Sequence, residues 1–253
     1  MKFETARAHL EGVPFIEPEK ARVLYDFIME KKPRECLELG FAHGTSACYI
    51  AAALDELGEG RLTTVDLTGQ AWQVPSIEEL LTRTGLGGRV GIVRERTSYT
   101  WFLRRMIEER TRHGICEPLY DFCFIDGSKN WTIDGCAFFL ADKLLRPGGW
   151  VLFDDLKWTY ASTGRKETDG VNHRELGPDE LNTPHIESIF RLLVMQHPDY
   201  SEFVIQDDWW GWAHKIGGTE RTLAYRETQN LRTVLLSGVR GAARFAKRRL
   251  AGG

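Results

Sequence analysis

Four acids in this chain stand where an apolar run gives way to a polar one. Asp66 ends Arg61-Leu62-Thr63-Thr64-Val65, Asp126 ends Tyr120-Asp121-Phe122-Cys123-Phe124-Ile125, and Asp154-Asp155 follow Trp150-Val151-Leu152-Phe153. Each run reads as a strand, so each acid falls at a strand's carboxyl end, the side of an α/β sheet on which sites form. Asp126, Asp154 and Asp155 would repel one another there unless a cation sat between them. An all-oxygen set with room for water suits Mg²⁺, with Mn²⁺ or Ca²⁺ as alternatives, and does not suit a structural zinc. Such a cation would lower the pKa of a bound hydroxyl and fix its direction. Lys129, close to the cation, would have a depressed pKa and could take the proton.

A second constellation lies earlier. Cys36, Leu37 and Leu39 read as a short buried strand, Gly40 and Gly44 open a loop, and Ser46 to Leu54 reads as a helix. Strand, glycine turn and helix N-terminus make a nucleotide-binding corner, in which a side chain at either glycine would keep a ligand away from the backbone. Gly-x-x-x-Gly lacks the third glycine of the dinucleotide fingerprint and also fits an ordinary strand-to-helix turn. Asp66 lies 22 residues past Gly44. A carboxylate about 20 residues on is the usual acceptor for a ribose hydroxyl pair; a helix cap or turn acid is the alternative reading.

These residues need a scaffold, and the rest of the chain supplies its elements. Helical spacing of Val23, Leu24, Phe27 and Ile28 predicts an amphipathic helix from Glu19 to Lys31. Ile77–Thr84, Trp101–Arg112 and Trp131–Leu145 read as further helices, and Val90-Gly91-Ile92-Val93 as the third strand. Thr97 and Ser98 follow that strand. Five strands alternating with helices predict a doubly wound, mostly parallel sheet. The segment Leu156–Pro184 is long, polar and rich in turn formers, and loops of that length are usually functional or mobile. It leads to a helix from His185 to Gln196 with Thr183-Pro184 as cap and first position. Phe203-Val204-Ile205 and Trp210-Gly211-Trp212-Ala213 then predict a closing antiparallel hairpin, giving seven strands. The division expected is a domain over 1–216 and a basic tail over 217–253 with an amphipathic helix. That helix could lie on an anionic membrane surface or a partner, or fold onto its own domain.

Composition narrows the class. The chain has 253 residues, a hydrophobic fraction of 42% and a net charge of -3, which gives no global drive toward nucleic acid. The five cysteines form no CxxC pair and read as small buried hydrophobes of a reducing compartment. No apolar run approaches the roughly 20 residues of a transmembrane segment, and the charged first thirty residues do not read as a signal peptide. A cytoplasmic protein is the expectation, with homo-oligomerisation left open.

The run Leu37-Glu38-Leu39-Gly40-x-x-x-Gly44-Thr45-Ser46, the acid Asp66, Arg146-Pro147-Gly148-Gly149 and the final hairpin resemble class I methyltransferases that use S-adenosylmethionine. More narrowly, Phe124-Ile125-Asp126-Gly127-Ser128-Lys129 and Phe153-Asp154-Asp155 are similar to the metal-dependent O-methyltransferases of the catechol and caffeoyl-CoA type and, more loosely, to antibiotic-sugar methyltransferases. The resemblance spans Arg22 to Lys215. It implies that Glu38, Gly40, Gly44, Thr45 and Ser46 lie against the methionine part of the donor, that Asp66 holds the ribose and that Ser98 lies beside the adenine. It implies that Asp126, Asp154 and Asp155 hold a divalent metal, with Asp126 also bordering the cofactor, and that Lys129 is the catalytic base. The third metal position is often asparagine in that family and is Asp155 here; Phe41 and His43 make the loop bulkier than its glycine-rich versions. The expected activity is metal-assisted methylation of a hydroxyl on a small phenolic or sugar-containing natural product. Rival readings are a metal-independent methyltransferase and a non-catalytic nucleotide-binding module. His173 and His185 are rival bases, and Trp131, Trp158, Tyr160, Trp209 and Trp210 suggest a ring-shaped acceptor.

Overall fold

Residue alternation along seven strands sorts the apolar side chains onto the two faces of one sheet. The strands are β1 (Glu35–Leu39), β2 (Arg61–Leu67), β3 (Val90–Glu95), β4 (Tyr120–Ile125), β5 (Leu145–Phe153), β6 (Tyr200–Gln206) and β7 (Trp210–Lys215). The computed structural model describes residues 1–70, 73–163, 167, 168, 171, 172 and 175–218. Contacts divide the chain into Met1–Thr219 and Glu220–Gly253. The second unit, and with it the expected basic helix, lies outside the described residues, as does His173. Among the described residues no helix is long and apolar enough to cross a membrane.

The sheet runs in the order β6-β7-β5-β4-β1-β2-β3. β1 to β5 pair in parallel, whereas β7 is antiparallel to both β5 and β6. This is the doubly wound seven-stranded sheet with an antiparallel ending that the strand pattern predicts. The order reverses between β1 and β4, so their carboxyl ends diverge into a crevice, the usual place for a ligand in such sheets.

Helices cover both faces. α1 (Phe3–Leu10), α2 (Pro18–Lys31), α3 (Thr45–Leu57) and α4 (Ile77–Thr84) lie on one side; α5 (Tyr99–Arg110), α6 (Trp131–Leu144) and α9 (His185–Ile189) lie on the other. The first core joins Leu24, Ile28 and Ile50 to Cys36, Phe122, Phe124 and Trp212. The second joins Leu37, Leu39, Cys123, Ile125 and Phe153 to Leu103, Phe138 and Phe190. Successive residues of β1 and of β4 thus enter opposite cores, as the two-residue period of a strand requires. α3 is apolar nearly all round because it is buried from Thr45 to Leu54. α4 starts on a capping box between Ser76 and Glu79 and stops at Gly85 in the left-handed conformation.

Local details go beyond or correct the sequence pattern. α1 opens the chain, with Phe3, Ala6 and Leu10 buried at helical spacing. Arg146–Gly149 form a bulge within β5: Tyr120 pairs with Leu145 but Phe122 with Trp150, and Gly148 has φ +85°. The helix expected from His185 to Gln196 is α-helical to Ile189 and π-helical over Phe190–Val194, with Pro184 itself as the cap. Thr183 instead terminates α8 (Pro178–Asn182). The long segment before it also carries a helical turn, α7 (Tyr160–Thr163), and a small ribbon pairing 167–168 with 171–172.

Phe138 of α6 is fully buried, with ring centroids of Phe153, Tyr200 and His197 at 6.1, 5.5 and 5.8 Å. It therefore joins α6, β5 and β6. Phe138→Ala is expected to lower stability by about 3–5 kcal/mol, read as the shift of the denaturant midpoint at unchanged slope.

Candidate active site

The glycine corner is built by its own packing. Gly40 and Gly44 have φ +92° and +89°, a region that β-carbon-bearing residues rarely occupy. A β-carbon on Gly40 would collide with the backbone at Asp126 and Gly127, and one on Gly44 with the side chain of Ile77. The glycines are therefore required first by the chain itself, before any ligand approaches. Gly40 N–H donates to Val65 O at 2.8 Å and Asp126 N–H to Leu39 O at 2.9 Å, so the loop and the acid extend the sheet's ladder.

Asp66 organises the loop. Its Oδ2 accepts from the Phe41 and Ala42 amides at 3.0 and 2.8 Å, and its Oδ1 accepts from the Leu67 amide at 2.7 Å. A carboxylate offers about four lone-pair positions, which leaves one on Oδ1 for a further donor such as a ribose hydroxyl. Behind the loop Glu38 is fully buried; its two oxygens accept from the Ser46 and Thr64 hydroxyls at 2.6 and 2.5 Å. Thr45 donates to Pro14 O at 3.0 Å, and His43 Nδ1 lies 2.7 Å from Pro75 O. The side chains of Glu38, Thr45 and Ser46 are thus occupied in holding the corner together. The two bulky loop residues are accommodated by burial, with Phe41 5% and His43 7% exposed. Ser98 caps α5, its hydroxyl accepting from the Thr100 amide at 3.1 Å.

The structure brings the three predicted acids together. Asp126, Asp154 and Asp155 each offer an oxygen, and these oxygens lie within 4.8 Å of one another in half-buried positions. Asp154 follows β5, its amide bonded to Ile125 O at 3.2 Å. Its Oδ1 accepts from Trp210 Nε1 and from the Asp155 amide, both at 2.7 Å. Trp210 is thereby a site residue; the sequence reading placed it among aromatics for an acceptor ring, and its fixed indole N–H decides its role here. Burial, followed by the Asp155 charge, pushes Asp154 up to about 6. Burial and the other two acids also hold Asp126 well above the usual carboxylate range, against the pull of Lys129.

Lys129 sits inside this cluster, not beside it. Its Nζ forms an ion pair with Asp126 and another, at 3.0 Å, with Asp155 Oδ2. Burial works to lower its pKa, but the charges of Asp126, Asp155 and Asp154 outweigh burial and hold it well above the ordinary lysine value. The depressed pKa expected from sequence is corrected accordingly: as placed here, Lys129 is a firmly held ammonium. Three carboxylates against one ammonium leave two negative charges uncompensated, the charge of one divalent cation, and an all-oxygen donor set of this kind fits Mg²⁺.

His185 does not fit the role of base. It is 6% exposed. Its Nδ1 accepts from the Trp131 amide at 3.1 Å and its Nε2 lies 2.9 Å from Glu180 O, so both ring nitrogens are engaged. Tyr160 packs on His185 and on Trp158, with centroids 5.1 and 4.8 Å away. Trp209 stacks under the Lys20 ammonium at 4.7 Å, and Trp131 remains 40% exposed.

Glu38 generates a pH prediction. Burial raises it from 4.5 to about 7, against the Ser46 and Thr64 hydroxyls and reinforced by Asp66. A raised carboxyl pKa means that the folded state holds a proton the unfolded state has lost, so this contribution is fully present below about pH 4.5 and lost as pH rises through about 7. The change is on the order of 3 kcal/mol. Glu38→Gln is expected to gain stability over the parent at pH 8 and to lose that advantage at pH 4.5, measured by urea unfolding at both pH values.

Comparison with known proteins adds a likeness. Residues 37–156 match a methyltransferase domain, Methyltransf_24. No curated protein matches the sequence. The O-methyltransferase from Bacillus cereus in complex with SAH aligns over 84% of this chain and 90% of that one, with 20% identity and a TM-score of 0.57. TomG from Streptomyces achromogenes, an O-methyltransferase involved in tomaymycin synthesis and solved with SAM, aligns over 85% and 88% with 20% identity and a TM-score of 0.55. SAH-bound methyltransferase PaMTH1 from Podospora anserina aligns over 84% and 86% with 16% identity and a TM-score of 0.58. At these identities the likeness is one of fold. The matched segment runs from β1 to just past β5 and holds the glycine corner, Asp66 and all three clustered acids, and the chain has the fold of the class I S-adenosylmethionine-dependent methyltransferases.

Proposed function

We propose that the protein transfers a methyl group from S-adenosylmethionine to a hydroxyl oxygen of a small molecule, with a divalent metal held by Asp126, Asp154 and Asp155. The observation that carries this reading is the meeting of those acids and Lys129 at the strand ends beside the glycine corner. The solved proteins of the same fold include O-methyltransferases with SAM or SAH bound. A phenolic or sugar-containing natural product remains the acceptor class, as the sequence's aromatic residues and family resemblance suggest.

When bound, the metal would supply Lewis acidity that lowers the pKa of the acceptor hydroxyl. The chain's own groups do the rest. The Gly40–Gly44 backbone and the remaining Oδ1 lone pair of Asp66 seat the donor, and Ser98 borders its adenine. Trp210 Nε1 fixes the Asp154 carboxylate in one rotamer. Lys129 keeps its proton on Nζ while Asp126 and Asp155 are paired to it; Nζ must first release that proton to solvent, with those carboxylates engaged elsewhere, before its lone pair can accept one from an acceptor hydroxyl. Methyl transfer from a sulfonium carries its own driving force, so the protein mainly supplies alignment.

The Lys129 ion pairs also favour a second reading, a metal-independent methyltransferase in which this ammonium is the cation of the site. Removing divalent ions decides between the two. Chelator is expected to abolish turnover and Mg²⁺ to restore it, followed by release of S-adenosylhomocysteine; full turnover in chelator would establish the second reading.

Asp66→Ala is expected to weaken donor binding at least about tenfold by calorimetry, since it removes both the ribose acceptor and the anchor of the Phe41 and Ala42 amides. Unchanged affinity would remove Asp66 from the donor site.

A further inference from the structure

Lys129 occupies the left-handed region, with φ +58°, although it carries a long side chain and no glycine replaces it. A residue keeps that conformation only when its surroundings impose it. The amides on either side of it show how. Ser128 N–H donates to the Tyr99 hydroxyl at 3.2 Å, and Asn130 N–H donates to Asp134 Oδ2 at 2.7 Å. Tyr99 and Asp134 are themselves joined, the hydroxyl donating to Asp134 Oδ1, while Ser128 Oγ lies 3.0 Å from the same hydroxyl. All three side chains are buried: Tyr99 is 3%, Ser128 1% and Asp134 0% exposed. The ring of Tyr99 also lies where a side chain at position 127 would be, so only glycine fits there.

We infer that the Tyr99–Asp134 pair is the positioning device of the site: it grips the backbone on both sides of Lys129 and thereby aims Nζ at Asp126 and Asp155. Both act through Lys129. This rests on the methyl-transfer reading only for its kinetic consequence. The geometric consequence concerns the chain alone.

Tyr99→Phe tests it, because the ring under Gly127 is kept and only the hydroxyl is lost. With Mg²⁺ present, kcat is expected to fall about tenfold while the KM for S-adenosylmethionine changes less than about twofold. In a Lys129→Ala background the same substitution should have no further effect on kcat. An equal loss in both backgrounds would mean that Tyr99 supports the fold and does not act through the lysine. Independently of turnover and metal, the Lys129 amine should become roughly fivefold more reactive toward reductive methylation in Tyr99→Phe, followed by peptide mass spectrometry, as the ion pairs that hold it loosen. Asp134→Asn should change the reactivity in the same direction. Unchanged reactivity in both variants would overturn the inference. If the parent protein methylates no hydroxyl acceptor, the proposed function fails by itself, and the reactivity measurement still decides whether the pair positions Lys129.

Discussion

Like charges held close together in a half-buried crevice are the constraint around which this molecule is arranged. Asp126 follows β4, Asp154 and Asp155 follow β5, and the parallel pairing of those two strands places their ends side by side. Carboxylates so close and partly desolvated disfavour ionisation, which is why Asp126 and Asp154 are pushed above their ordinary range. The protein offsets this with one internal cation and with directed dipoles. Lys129 pairs with two of the acids, and the Trp210 indole and the Asp155 amide fix the third. The remaining charge is what a divalent ion would neutralise in the function proposed above.

The glycine corner answers a different demand. It must bring its own backbone close to Asp126 and Gly127 while carrying buried polar groups. Asp66 satisfies the loop amides, and Glu38, Ser46 and Thr64 form a closed set beneath it. Loop and acid cluster are not separate modules. Gly40 lies against the Asp126–Gly127 backbone so tightly that a methyl group would not fit. The glycine corner and the acids are therefore locked to one another across the β1–β4 switch, and a shift in one must move the other.

The helices behind the crevice stabilise this arrangement. α5 contributes Tyr99 and α6 contributes Asp134, both buried beneath the loop that carries Lys129. α9 holds α6 through His185 and the Trp131 amide. The rigidity of the site thus comes from polar groups that are paired in full in the interior, where an unpaired one would be costly.

What the sequence by itself determined was the local grammar. Period-two and period-3.6 patterns specify the strands and most helices, the glycines mark the corner, and the acids at the ends of apolar runs mark the site, because each of these signals depends on near neighbours alone. Boundaries slipped where tertiary packing overrode them: the bulge at Arg146–Gly149, the π-helical turn over Phe190–Val194 and helix α1 all follow from contacts with distant elements. The state of Lys129 was decided only in three dimensions, since it is set by its burial, by the charge of nearby Asp126 and by those of Asp155 and Asp154, about two dozen residues away in the chain. His185 likewise reads as a free base in sequence and is committed on both nitrogens once α8 and α6 close around it. Tyr99 and Asp134 gave no signal at all, because a hydrogen bond between two buried side chains leaves no period or motif behind; only the fold that brings α5 and α6 together under one loop reveals it.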